Sequence, residues 1–110
     1  MQKETIKKVL KFRDDRNWRQ FHNPKDLAIS LDLEAAELLE LFQWSGTDLI
    51  CEEKRDKMKE ELADVLMYGI LMADACGFDL DEIVLAKLRR NEEKYPVEKA
   101  FGNKAKYTEL

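Results

Sequence analysis

The chain has 110 residues and a formal net charge of −4, with 38% charged residues but only 4 Gly and 2 Pro. That length suits one domain, the scarcity of turn residues argues against an all-β fold, and the acidic balance disfavours a nucleic-acid-binding protein. No stretch reaches the ~18 apolar residues of a membrane span, no signal peptide is expected from the first residues, and two separated cysteines, Cys51 and Cys76, fit a reducing cytoplasm.

Apolar periodicity predicts four helices. The first runs from about Gln2 to Arg16. Asn23 is a good N-cap and Pro24 is tolerated at the first helical position, so the second helix is expected to begin there. It is predicted to run to about Trp44, with Gly46 in the C-capping position.

The third helix is expected from about Glu52 to Ala75, stopping at Gly77. Asp79 caps the fourth, which ends before Pro96 because the residue before a proline is disfavoured in the α conformation. Residues 97–110 are predicted to be a loosely attached C-terminal arm of a single domain spanning 1–110. Four helices with short connections predict an all-α fold, an antiparallel four-helix bundle.

Acidic side chains fall on helix faces that are otherwise apolar. On the second helix, Glu34 projects into the apolar stripe and Glu37 lies at its edge, three residues further on. On the third helix, Glu61 and Asp64 repeat this spacing beside an apolar face. Burying such carboxylates costs several kcal/mol per ion unless something positive lies beside them.

Several positive groups could compensate these carboxylates. Hard divalent cations prefer carboxylate oxygens, so the pattern favours Mg²⁺ or Mn²⁺. A di-iron bundle needs Glu-x-x-His motifs, and the single histidine, His22, lies in none; one His and two distant Cys also disfavour zinc. Lys or Arg side chains are the alternative, and the chain is then a non-catalytic helical interaction module whose acids form interhelical salt bridges.

Basic and aromatic side chains could complete a site. The inward face of the fourth helix turns polar towards its C-terminus, at Lys87, Asn91 and Lys94. Such groups hold phosphate oxygens near a bound metal, although surface lysines also snorkel. Trp18 and Trp44 flank the second helix, where each can stack on a base or simply pack against neighbours.

The third helix is apolar almost all round from Leu62 to Phe78. A four-helix domain of this size cannot cover both sides of such a helix. The pattern therefore predicts a homo-oligomer with this helix near the interface.

The two acid motifs, Glu34-Ala35-Ala36-Glu37 and Glu61-Leu62-Ala63-Asp64, resemble the signature of the MazG-like nucleoside triphosphate pyrophosphohydrolases. The sequence around them is similar to that of the dCTP pyrophosphatase branch of the family, in segments 18–24, 37–44, 60–65 and 91–97. This resemblance covers nearly the whole chain, from about Phe12 to Tyr107.

The resemblance implies Mg²⁺-dependent hydrolysis of dCTP or a related nucleoside triphosphate to the monophosphate and pyrophosphate, with dUTP or a modified dNTP as alternative substrates. It implies a homodimer as the basic unit, or a homotetramer. The charge balance and hydropathy, for their part, predict neither a nucleic acid polymer nor a membrane as partner. The residues that the resemblance implies as metal ligands are Glu34, Glu37, Glu61 and Asp64, of which Glu37 or Glu61 would activate the attacking water. Those that it implies near the phosphates are Lys87, Asn91, Lys94 and Tyr95. Those that it implies at the base or sugar are Trp18, His22, Trp44 and Tyr68.

Overall fold

The computed structural model describes all 110 residues, which form helices and turns without a β-strand. The α-helices are α1 (Lys3–Asp15), α2 (Pro24–Glu40), α3 (Arg55–Cys76), α4 (Leu80–Lys94) and the short α5 (Val97–Ala100). Single 3₁₀ turns lie at Trp18–Phe21, Glu52–Lys54 and Tyr107–Glu109. The predicted all-α class is therefore confirmed. The helices divide into two compact units, Met1–Gly77 and Phe78–Leu110.

Capping side chains begin and end the helices largely where the sequence predicts. The Asn23 side chain accepts a hydrogen bond from the Asp26 amide at 2.9 Å, and Asp79 accepts one from the Glu82 amide at 2.9 Å. Each bond satisfies an amide that has no partner within its helix. Gly77 ends α3 with φ of 70°, a left-handed conformation that costs a glycine little.

The end of α2 differs from the prediction. The helix stops at Glu40 rather than near Trp44, and the chain continues through tight turns in which amides donate to carbonyls three residues back. The carbonyl of Leu41 accepts a 3.0 Å hydrogen bond from Nζ of Lys54, so a distant side chain supplies the partner that a longer helix would provide. Gly46 has φ of 61° but lies in the following loop and does not cap α2.

In the first unit, α2 packs along α3 and runs antiparallel to it. Leu41, just after α2, contacts Lys54, just before α3, whereas Glu34 within α2 lies beside Asp64 further along α3. The 3₁₀ turn at Glu52–Lys54 leads directly into α3. The most deeply buried apolar side chains belong to Leu27, Cys51, Ile70, Leu71 and Ala73. Both cysteines are free thiols.

Helix α1 is tied to α3 by a buried arginine. Arg13 is 3% exposed, and its Nη1 donates to Oδ2 of Asp74 at 2.6 Å while its Nε donates to Oδ1 of Asp14 at 2.8 Å. The pKa of Arg13 is raised, chiefly by the hydrogen bond to Asp14, so the guanidinium is charged. A buried charge of this kind is tolerated because carboxylates pair with it.

The second unit contains α4, α5 and the C-terminal turn. The apolar stripe of α4 is largely exposed in the single chain, including Ile83, Val84 and Leu88. Beyond Pro96, the chain forms α5 and then brings the ring of Tyr107 edge-on to that of Tyr95, with centroids 5.9 Å apart. None of the helices combines the length and the apolar character needed to cross a lipid bilayer.

Candidate metal and nucleotide site

Three carboxylates from two helices converge in the first unit. One oxygen each from Glu34 on α2 and from Glu61 and Asp64 on α3 lie within 4.8 Å of one another. Because α2 and α3 are antiparallel, the Glu-x-x-Glu and Glu-x-x-Asp motifs meet face to face. We call these three residues the acid cluster.

Glu37 stands at the edge of the acid cluster. Its side chain is exposed, and its carboxyl lies within hydrogen-bonding reach of both Glu34 and Glu61. Glu37 and Glu61 also line an open cavity of about 450 Å³ together with Lys54 and Lys57. The structure thus brings together all four acids that the sequence singled out.

Burial and neighbouring acids raise the pKa of two of these residues, Glu34 and Glu61. Burial raises the pKa of Glu34, and the hydrogen bond and charge of Glu37 and the charges of Asp64 and Glu61 raise it further. The pKa of Glu61 is raised first by the hydrogen bond shared with Glu37 and then by burial and neighbouring negative charge. Like charges held this close disfavour simultaneous ionisation unless a cation compensates them.

The cluster fits a divalent cation. Oε2 of Glu34 and Oε2 of Glu61 are both buried without a hydrogen-bond partner. Buried carboxylate oxygens are costly in that state, and a hard cation takes several such oxygens as ligands. The ion pairs in the structure, which join Lys11 to Asp15, Arg13 to Asp14 and Asp74, and Lys59 to Asp56, leave the acid cluster out.

An aromatic cavity of about 250 Å³ adjoins the acid cluster. Asp64 is part of its wall, and so are three residues predicted to contact a base or sugar: Trp18, His22 and Tyr68. The remaining lining residues are Val9, Phe12, Arg13, Met67 and Leu71. This volume is below the ~300–1,000 Å³ of pockets for drug-sized ligands, so the cavity suits one ring of a ligand rather than a whole nucleotide.

His22 contributes an unsatisfied polar atom to this wall. Its Nδ1 is buried without a hydrogen-bond partner. Burial lowers the pKa of His22, and the positive charge of Arg13 lowers it further. Both effects favour the neutral imidazole, which has one ring nitrogen available as an acceptor.

The remaining predicted site residues are Trp44 in the first unit and four residues of the second unit. Trp44 is 92% exposed in the loop after α2 and does not line the aromatic cavity. Lys87 and Asn91 belong to the second unit and line a shallow apolar cavity on α4. Lys94 places Nζ 4.8 Å from the ring centroid of Tyr107. Tyr95 packs edge-on to that same ring.

A second group of possible ligand atoms, from Asp48, Cys51 and Glu53, has a different explanation. The Asp48 carboxylate accepts the backbone amides of Ile50 and Cys51 at 3.3 and 3.0 Å. It therefore closes a turn in the loop between α2 and α3.

Sequence reasoning missed Arg13 as a cavity residue. The helical spacing does indicate it, because Arg13 lies four residues after Val9 and seven after Ile6, on the apolar face of α1. The same argument that singled out Glu34 applies to this cation.

Fold and site together define an all-α protein with a candidate divalent-cation site between two antiparallel helices and an aromatic cavity beside it. Residues 29–110 match the model of the MazG-like family. The chain belongs to the MazG-like family, as the two acid motifs indicate.

Relatives of known activity agree with this assignment. The chain is 39% identical over 104 residues to dCTP pyrophosphatase 1 of Mus musculus and 40% identical over 104 residues to that of Homo sapiens, covering 90% of this chain in both cases. It spans 61% of the length of each of these relatives. The resemblance to the dCTP pyrophosphatase branch is thereby confirmed.

A solved structure shares the fold. A pyrophosphatase from Archaeoglobus fulgidus superimposes with a TM-score of 0.77 at 39% identity, over 84% of this chain and 90% of that one. At this identity, the neighbour supports both the fold and the family.

Proposed function

We propose that this protein hydrolyses dCTP or a closely related deoxynucleoside triphosphate to the monophosphate and pyrophosphate, with Mg²⁺ as cofactor. The observation that carries the proposal is the acid cluster, with its two buried and unpartnered carboxylate oxygens, beside an aromatic cavity that shares Asp64. The names of the relatives, dCTP pyrophosphatase and pyrophosphatase, supply the reaction class.

The metal would be held by Glu34, Glu61 and Asp64, with Glu37 as the predicted fourth ligand. Mg²⁺ keeps several waters and takes phosphate oxygens as further ligands, which is how it reconciles an anionic site with a polyanionic substrate. Bound there, it would polarise the α-phosphate and stabilise the pyrophosphate leaving group. Mn²⁺ satisfies the same oxygen ligands.

The attacking water needs a group that accepts its proton, and Glu37 or Glu61 supplies it. Glu37 is the better placed of the two. Its carboxyl is exposed, whereas Glu61 has one oxygen buried among the other acids. A carboxylate at the edge of the cluster reaches both the solvent and the reacting phosphate.

The aromatic cavity takes the base. Trp18, His22 and Tyr68 line the cavity. Stacking on such rings contributes about 1–3 kcal/mol per base and works with any base, because every base has a π-face. Lys87, Asn91, Lys94 and Tyr95 remain the residues proposed for the phosphates, through charge-assisted hydrogen bonds to the β- and γ-oxygens. Trp44 remains a proposed base contact.

The working form is proposed to be a homodimer or homotetramer of four-helix bundles. Leu62 and Leu66 on α3 are 49% and 48% exposed, and Ile83, Val84 and Leu88 on α4 are exposed as well. Exposed apolar side chains in such number mark an interaction surface on each of the two helices. The cytoplasmic setting, with its reduced thiols, is part of the same proposal.

The test is a panel of dNTPs and NTPs assayed for pyrophosphate release with Mg²⁺, with Mn²⁺ and with EDTA. We expect metal-dependent release of pyrophosphate, and not of inorganic phosphate, with dCTP among the best substrates. A best substrate of dUTP or a modified dNTP would keep the reaction and change the base. No turnover on any nucleotide would favour the interaction module, although the absence of ion pairs to the acid cluster argues against that alternative.

A further inference from the structure

Arg13 is a buried cation for which the hydrolytic reaction has no evident use. It is 3% exposed, and it forms part of the wall of the aromatic cavity with Trp18 and His22. The ion pair to Asp74 explains how this charge can be buried. The same side chain forms part of the cavity wall, which places it beside any ligand bound there and allows it a second role.

The hydrogen bonds of Arg13 leave donors to spare. A guanidinium has five N–H donors and no acceptor. Nε is used by Asp14 and one N–H of Nη1 by Asp74. The remaining N–H bonds are on Nη1 and Nη2, the pair of terminal nitrogens that forms a planar fork. The two carboxylates fix the plane of this fork, so little side-chain entropy is lost when it binds a ligand.

We propose that Arg13 determines base specificity by donating from its terminal nitrogens to the N3 and O2 acceptors of a cytosine bound in the aromatic cavity, with Asp74 as the residue that positions it. This role rests on the proposed function. Cytosine has an acceptor at N3, whereas thymine and uracil carry an N3–H donor at that position. A donor-only fork therefore pairs with cytosine and opposes the other two pyrimidines, since a buried donor facing a donor loses its hydrogen bond.

His22 supports the same orientation of the base. The N4 amino group of cytosine is a donor and needs an acceptor, and a neutral imidazole offers one. Nδ1 of His22 is buried without a partner on the same wall as Arg13. Thymine and uracil have a carbonyl oxygen where cytosine has N4, so they would present an acceptor to this acceptor.

The decisive experiment changes each partner of the proposed contact in turn, first the guanidinium of Arg13 and then the N3 atom of the base. On the protein side, Arg13→Lys keeps the charge opposite Asp74 but removes the planar fork. The double variant Arg13→Met with Asp74→Asn removes the guanidinium together with the charge of its partner on α3, and the carboxylate that it leaves unpaired, that of Asp14, is half-exposed to solvent. Lys11→Met is the matched control, because it deletes an exposed cation and its ion pair to Asp15 on the same helix. The readout is kcat/KM for dCTP, dTTP and dUTP.

We expect both Arg13 variants to reduce the preference for dCTP over dTTP by about 10- to 100-fold, the scale of one bidentate contact to a base. The loss should fall mainly on KM for dCTP, and Lys11→Met should retain the wild-type preference. An equal loss on all three substrates, or an unchanged preference, would assign Arg13 to the fold alone and overturn the proposal.

On the substrate side, 3-deaza-dCTP replaces N3 by C–H and leaves O2 and N4 in place. The wild-type enzyme should use 3-deaza-dCTP with a kcat/KM at least tenfold below that for dCTP. In Arg13→Lys the ratio of the two kcat/KM values should be smaller, because the protein change and the nucleotide change each remove the same contact. Equal use of both nucleotides by the wild type contradicts the proposal even if the variants fail to fold. Turnover without discrimination refutes the role of Arg13, whereas no pyrophosphate release from any dNTP refutes the proposed function itself and this role with it.

Discussion

Asp64 and Tyr68 lie one helical turn apart on α3, and both line the aromatic cavity, although Asp64 also belongs to the acid cluster. Side chains four residues apart share one face of a helix. A single helix face thus carries a metal-ligand candidate and a base-contact candidate side by side. In a nucleoside triphosphate, the reacting phosphate and the base are likewise linked to each other through the sugar.

Replacing Glu61 by Gln should abolish Mg²⁺-dependent turnover, because the amide lacks the negative charge of the carboxylate that would bind the metal. The helical circular dichroism should not change, because the two side chains have the same shape. The same variant should melt at a higher temperature than the wild type without metal, since one buried negative charge is gone. Stopped pyrophosphate assays and thermal melts measure both effects. Glu60→Gln, one residue away on the exposed side of α3, is the control. Undiminished turnover of Glu61→Gln would refute its assignment as a ligand.

Stability without metal should fall as pH rises. The pKa values of Glu34 and Glu61 are raised above 4.5 in the folded chain. Their protonated forms therefore favour folding fully below pH 4.5, and this contribution is lost as pH rises through the raised pKa values. If Mg²⁺ binds the acid cluster as proposed, it replaces those protons, so it should raise Tm more at about pH 8 than at about pH 5.

Melts at both pH values, with and without Mg²⁺, check this expectation. The double variant Glu34→Gln with Glu61→Gln should show a flatter pH dependence and little response to the metal. A metal effect that is the same at both pH values would mean that the acid cluster does not bind the ion.

Trp18→Ala should raise KM about 5- to 150-fold and change kcat little, because loss of one stacked base costs about 1–3 kcal/mol of binding. Trp18 lines the aromatic cavity in the single chain. Initial rates across dCTP concentrations separate the two parameters. A fall in kcat with unchanged KM would place the indole at the chemistry rather than at the base.

Trp44→Ala should also raise KM more than it lowers kcat if its ring contacts the base. Since Trp44 is 92% exposed in the single chain, a second copy would have to bring it to the nucleotide. The KM effect should then disappear in any variant that is monomeric.

Sedimentation at micromolar concentration should show a dimer or larger. The exposed apolar side chains of α3 include Leu62 and Leu66, one turn apart on one face. Leu66→Glu should shift the sedimentation distribution towards monomer. Leu33→Glu adds the same charge at an exposed position on α2, so it controls for the effect of charge alone. A wild-type monomer at this concentration would contradict the predicted interface.

Local chemistry explains why much of the fold was readable from the sequence. Asn23, Asp79 and Gly77 act through their own side chain or φ angle within a few residues, so caps and helix ends follow from short segments. The end of α2 was misjudged because Lys54 supplies a partner to Leu41 from 13 residues away. No periodicity in the second helix contains that information.

By itself, the sequence determined the helical class, the two acid motifs and the family, because carboxylates on apolar helix faces and capping residues are local patterns. Only the tertiary structure decided which carboxylates meet within 4.8 Å, that Trp18 rather than Trp44 lines the aromatic cavity, and that Arg13 of α1 pairs with Asp74, 61 residues away. The physical reason is that these relationships depend on how α1, α2 and α3 are placed against one another. Periodicity fixes the face on which a side chain lies, and packing selects what that face meets.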